Sequence, residues 1–179
     1  CKALPQSHLN RFVQQLLCSI LGGSMSSRLF QKVREERGLA YSIYSYLNVH
    51  SDAGALVVYG GTSADELWET VQLSLEQFAG LREGSISSEE LFMAREQMKG
   101  TLLLSLESSD NRMTRLAKNE FFLGYQPELN DIIAAIDSVS VADLTYLANQ
   151  ILADDSLNLN IIGPVSDADL SLDTLTISG

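Results

Sequence analysis

Apolar residues recur along this chain at two different spacings, and the switches between them mark its elements. Over residues 7–21, Leu9, Phe12, Val13, Leu16, Leu17 and Ile20 fall three and four apart, which predicts a helix with one face in a core, ended by Gly22-Gly23. Met25, Leu29 and Val33 then repeat a spacing of four, and Ser26 or Ser27 is placed to cap this second helix by accepting from its first free N–H groups. Gly38 can close the helix at positive φ, with Leu39 folding back onto Val33. Beyond it the period changes to two. Tyr41, Ile43, Leu47 and Val49 alternate with Ser42, Tyr44, Asn48 and His50, which predicts a strand with unlike faces. Residues 51–54 form a turn, and residues 56–59 are a second strand that completes a hairpin.

The helical period returns after Gly60-Gly61. Ser63 and Glu66 form a capping-box pattern ahead of Leu67, Val71, Leu75 and Phe78, and the helix fails over residues 80–84. Ser87 and Glu90 make a second capping box, with Ile86 set to staple onto Leu91, for a helix running to about Glu107. Asp110 is the expected cap of the next helix, which places Met113, Leu116 and Ala117 inside and stops at Gly124. Two short helices follow, residues 129–136 and 141–152, the latter capped by Ser140 with Val139 stapled onto Leu144. Leu157, Leu159 and Ile161 alternate with Asn158 and Asn160, so a final strand ending at Gly163-Pro164 is expected to join the sheet of the hairpin. Strands early, helices in the middle and one strand late describe an α+β fold, an antiparallel sheet covered on one face by helices. The expected division is one domain over 1–164 and an acidic tail over 165–179. No internal repeat is visible.

Composition narrows the function. A chain of 179 residues, 45% hydrophobic and 20% charged, is large enough for one well-cored globular domain. A net charge of −11 and a pI near 4.5 exclude nucleic acid as a partner, because that interaction needs clustered Lys and Arg to displace counterions. The acidic surface can attract basic peptides or simply keep the chain solvated. Cys1 and Cys18 lack metal-ligand spacing, and no apolar run approaches a membrane span. The start, C-K-A-L-P-Q-S-H, has neither an initiating Met nor a signal-peptide pattern, so the chain is expected to begin inside a longer protein.

Little reactive chemistry survives inspection. Gly22-Gly23 is not followed by the Lys-Ser/Thr pair of a phosphate loop, and the serines at 24, 26 and 27 sit in no nucleophile-elbow pattern. His8 and His50 have no glutamate at zinc-site spacing and read as a helix-start and a strand-end residue. What remains is the corner within residues 21–46, where Arg34 in the last helical turn and Tyr41 at the strand start come together. By residue type alone they read as a solvated cation at a helix C-terminus and a half-buried packing tyrosine.

That corner carries a resemblance. L-G-G-S-M-S-S-R-L-F followed by R-E-E-R-G-L-A-Y, then Glu107-Ser108-Ser109, Arg112, Leu116-Ala117, Gly124 and the closing L-N-I-I-G-P, resemble the second half of the insulinase/pitrilysin zinc metallopeptidases, in the mitochondrial processing peptidase-like branch. The resemblance implies a LuxS/processing-peptidase-like metallohydrolase half, here lacking its first strand. It implies that Tyr41 is an accessory catalytic residue donating to the scissile carbonyl oxygen, and that Arg34, with Tyr41, binds substrate by holding a neighbouring backbone carbonyl. No metal or cofactor is expected in this chain. Zinc is expected in the partner, a zinc-bearing homologous half in the same parent chain or in a partner subunit, and the substrate is an extended peptide. The implied role is to close a proteolytic chamber, with this chain inactive alone; the alternative is a non-catalytic structural or partner subunit of a processing-peptidase-like complex.

Overall fold

The computed structural model describes residues 1–165 and 175–177. Its framework is a hairpin, β2 (Ala40–Val49) and β3 (Gly54–Thr62), with a two-residue strand β1 (Lys2–Ala3) on the far side of β3. The sheet among the described residues is antiparallel in the order β1-β3-β2. An opening strand is therefore present, as two residues paired with Ala55 and Gly54, where the sequence suggested none. A side chain reinforces it. Gln14 is buried and its amide both accepts from the Leu4 N–H at 2.9 Å and donates to the Leu4 carbonyl at 3.1 Å, so it serves Leu4 as a strand neighbour would.

Helix α1 (Arg11–Gly22) lies on the inner face of the sheet. Val13, Leu16, Leu17 and Ile20 are buried as their spacing predicts, but Leu9 is solvent-exposed because the helix begins only at Arg11. The fit to β2 is backbone-close: a Cβ on Gly22 would lie 2.5 Å from the Ser45 nitrogen, so only glycine fits there. Ser45 donates to the Cys18 carbonyl at 2.8 Å, and burial pushes the Cys18 thiol up, which keeps it an inert core group. Ile43 and Leu56 complete this face, while Tyr44, Tyr46 and Tyr59 stand half-exposed on the other.

Helix α2 (Leu67–Arg82) packs on α6 (Val141–Ile151), which together with α3 (Ser88–Ser105) and α5 (Leu129–Ser138) packs against α1. The predicted capping box at Ser87/Glu90 is formed, the predicted Ser140 cap is part of a full box with Asp143, and the stapling residues Ile86, Leu91, Val139 and Leu144 are buried. The predicted box at Ser63/Glu66 is not. Ser63 bonds to the Glu66 carboxylate at 2.8 Å, and helix α2 starts only after that turn. Helix α4 (Ser109–Leu123) is capped by Ser108 rather than Asp110, and it buries no residue, so Met113, Leu116 and Ala117 are outside rather than inside. Periodicity identifies an apolar face; it does not say whether the face is covered, and among the described residues it is not.

The expected last strand is absent among the described residues. Residues 157–162 keep the alternation of partly buried and exposed positions, yet pair with no strand. A strand is stabilised by its ladder, and alternation alone does not supply the partner that a ladder needs. The tail reading over 165–179 lies largely outside the described residues; Leu175 and Ile177 pack on the core, and the Ile177 N–H donates to Asp154 at 2.7 Å. No helix among the described residues is long and apolar enough to cross a membrane.

Arg28 ties the corner segment to α3. Its Nε and Nη2 donate to the two Glu90 carboxylate oxygens at 2.7 and 3.1 Å, and Nη2 also reaches the Ser85 carbonyl. Burial opposes ionisation of Glu90, but the hydrogen bonds from Arg28 and Ser87 outweigh it and hold the carboxyl below its ordinary value. A carboxylate depressed on folding stabilises above its unfolded pKa, and the benefit is lost as pH falls through the folded one. Glu90→Gln should therefore lower the thermal midpoint at pH 7 by up to about 3 °C, with wild type and variant converging as pH falls below about 4. A gap that persists unchanged at acid pH in thermal melts contradicts this.

Candidate active-site corner

Arg34 and Tyr41 meet through two local irregularities. The first is helical. Residues Phe30–Glu36 form a π-helix rather than a continuous α-helix. Leu29 and Val33 are fully buried and fix which side faces inward, but Met25 is exposed, outside the stripe that the sequence suggested. Neither Ser26 nor Ser27 caps this helix: the Ser27 hydroxyl donates backwards to the Ser24 carbonyl at 2.5 Å, and the Ser26 hydroxyl pairs with that of Ser24. The C-terminus behaves as read. Gly38 takes φ +65°, its N–H donates to Arg34 at 3.1 Å, and the Leu39 N–H reaches back to the Val33 carbonyl at 3.0 Å.

The second irregularity is in the strand. Ala40 pairs with Thr62 and Ser42 with Gly61, which leaves Tyr41 as the extra residue of a β-bulge. Strict alternation put Tyr41 on the inner face with Ile43. The bulge instead turns it out, and its side chain is 89% exposed. Its hydroxyl makes no hydrogen bond among the described residues, an arrangement of no evident use to stability.

The two residues line one open cleft of about 570 Å³, with Gly61, Thr62, Ser63 and Glu66. Its floor is fixed by Thr62, which donates to the Leu39 carbonyl at 2.6 Å and accepts from Thr70. The Arg34 guanidinium carbon lies 4.7 Å from the ring centre of Phe30 and 5.6 Å from that of Tyr41. Phe30 was not singled out from the sequence, although its position four residues before Arg34 on one helix was signal enough. The basic residues nearby are otherwise committed: Arg28 to Glu90, Lys32 to Glu36, and Arg37 to Glu69. Among the described residues Arg34 has only Glu35 as an ionic partner, at 3.7 Å, which leaves its N–H groups available there.

Five guanidinium donors and one phenol donor around a cleft suit an oxygen-rich acceptor such as a peptide backbone. Among the described residues that line the cleft there is no histidine or cysteine, and the one carboxylate, Glu66, accepts from the Ser63 hydroxyl at 2.8 Å. Nor do the residues suit zinc. Among the described residues no group of three or more His, Cys, Asp or Glu is placed to hold a metal ion, and His8 Nδ1 accepts from the Asn10 N–H at 3.0 Å.

Comparison with known proteins gives the family. The family model described as the peptidase M16 inactive domain matches residues 2–98, which include Arg34 and Tyr41. The chain is 44% identical to a Bacillus subtilis protein named an uncharacterized zinc protease, YmxG, over 86% of this chain and 38% of that one. It is 34% identical to a similarly named Streptomyces coelicolor protein, over 94% of this chain and 36% of that one. The chain thus spans less than two-fifths of these relatives. Among solved structures, it superposes on a peptidase M16 inactive domain from Pseudomonas fluorescens with TM-score 0.76 and 23% identity, covering 83% of this chain and 36% of that one. It superposes on a chain of complex III2 from Candida albicans with TM-score 0.75 and 20% identity, covering 86% and 39%. At these identities the superpositions establish the α+β fold alone.

Proposed function

The chain belongs to the peptidase M16 inactive-domain family, and from that premise we propose that it is the non-zinc half of a longer zinc metalloendopeptidase, which closes the proteolytic chamber and binds extended peptide. The observation that carries the proposal is the Arg34–Tyr41 pair, held at one cleft by a glycine corner and a bulge, with the donors of both unspent. In this reading the Arg34 guanidinium donates to a backbone carbonyl next to the scissile bond. The Tyr41 phenol donates to the scissile carbonyl oxygen as it gains charge, where a preorganised donor acts most strongly. Metal chemistry belongs to the homologous half, in the same parent chain or in a partner subunit, and supplies the activated water. The names of the zinc-protease relatives support that division.

The test compares this chain with its full-length parent. This chain alone, freed of host proteases, should cleave no peptide, while the full-length protein should cleave one in a reaction that a chelator stops. Chelator-sensitive cleavage by this chain alone overturns the assignment. A full-length protein with bound zinc and no cleavage across a peptide library points instead to the non-catalytic subunit.

A further inference from the structure

We propose that Phe30 is a positioning residue for Arg34, an aromatic shelf that holds the guanidinium by its face and leaves its N–H edges turned to the cleft. The proposal rests on the reading of Arg34 as a peptide-carbonyl donor. Its own ground is geometric. The guanidinium carbon lies 4.7 Å from the Phe30 ring centre and 5.6 Å from that of Tyr41, both within the roughly 6 Å over which a cation is attracted to a ring face. Phe30 is half-buried, and the flanking Leu29 and Val33 are fully buried, so the rotation of the helix and with it the root of the shelf is fixed.

The type of partner matters. Guanidinium N–H donors lie in its plane, so a carboxylate that fixes an arginine consumes the donors a substrate needs, whereas a ring held against the face consumes none. Arg28 and Arg37 are fixed in the first way, by Glu90 and Glu69. Arg34 is flanked by two rings, and its nearest carboxylate, Glu35, stands at 3.7 Å on an exposed side chain. Its flexible stem would otherwise have to be ordered on each binding event, a cost that weakens substrate and transition state alike.

The experiment uses the full-length protein and compares Phe30→Leu, Phe30→Tyr and Arg34→Ala, with Phe30→Leu also placed in the Arg34→Ala background. Phe30→Leu should raise KM roughly two- to fivefold with kcat unchanged, the range set by an exposed cation–π contact. Phe30→Tyr should restore KM, since it keeps the ring. In the Arg34→Ala background Phe30→Leu should add nothing, because the shelf then has nothing to hold. A readout independent of turnover is the Arg34 Nε–Hε resonance, which the nearer Phe30 ring should shift upfield; Phe30→Leu should reduce the shift to the part left by Tyr41 and Phe30→Tyr retain it. An unchanged resonance in Phe30→Leu, or a KM penalty that persists in the Arg34→Ala background, overturns the positioning role. Should Arg34→Ala itself leave KM unchanged, the carbonyl-donor reading fails and this proposal with it. An effective Arg34→Ala beside a silent Phe30→Leu removes the shelf alone.

Discussion

Tyr41→Phe in the full-length protein should lower kcat by about 10²-fold, near 2.7 kcal/mol of transition-state stabilisation, the loss seen when one oxyanion donor is removed. Stability should hold within about 0.5 kcal/mol, because the side chain is 89% exposed and its hydroxyl has no partner among the described residues to lose. KM should move little. The two effects separate the readings of this residue cleanly: a packing tyrosine gives a lower melting midpoint with turnover intact, and a donor gives the reverse. Stopped-flow or steady-state kinetics beside a thermal melt decides between them.

Arg34→Ala should act on the other parameter. A hydrogen bond to a charged donor contributes roughly 1.5–3 kcal/mol, but the Arg34 side chain is 40% exposed, so solvent screening favours the lower end and a KM raised about tenfold. The carbonyl it is assigned does not react, so the contact is equally strong before and at the transition state, and kcat should stay within about twofold. Folding should lose at most about 1 kcal/mol from the contacts with the Phe30 and Tyr41 rings. A fall in kcat at constant KM would reassign Arg34 to the developing charge itself.

Much of this arrangement is legible in the sequence. The capping box at Ser87, the cap at Ser140, the hairpin and the Gly38 corner are set by interactions a few residues apart, and the sequence spells them out. The pairing of Arg34 with Tyr41 followed from the corner, since a helix end and a strand start joined by one tight turn must lie together. The features that escaped depend on what is distant or irregular. The bulge at Tyr41 reverses its face, and period-two reasoning has no means of sensing one extra residue. The π-helix shifts its own registers in the same way. Residues 157–161 alternate correctly yet form no strand, because alternation describes a face and a strand also needs a partner. Helix α4 gives the converse case: Met113, Leu116 and Ala117 share a face, as read, with no surface among the described residues to receive it.

The central question is whether Tyr41 acts on the transition state of a peptide-cleaving centre. The most direct measurement is the inhibition constant of a phosphinic peptide, whose tetrahedral oxygens mimic the addition intermediate, against the full-length protein and its Tyr41→Phe variant. A donor to developing charge binds that mimic more strongly than it binds substrate, so the inhibition constant should rise about 10²-fold in Tyr41→Phe, in step with the loss in kcat/KM, while KM stays nearly constant. An inhibition constant equal in both proteins, with wild-type turnover in the variant, would contradict the account and return Tyr41 to the surface of a structural subunit.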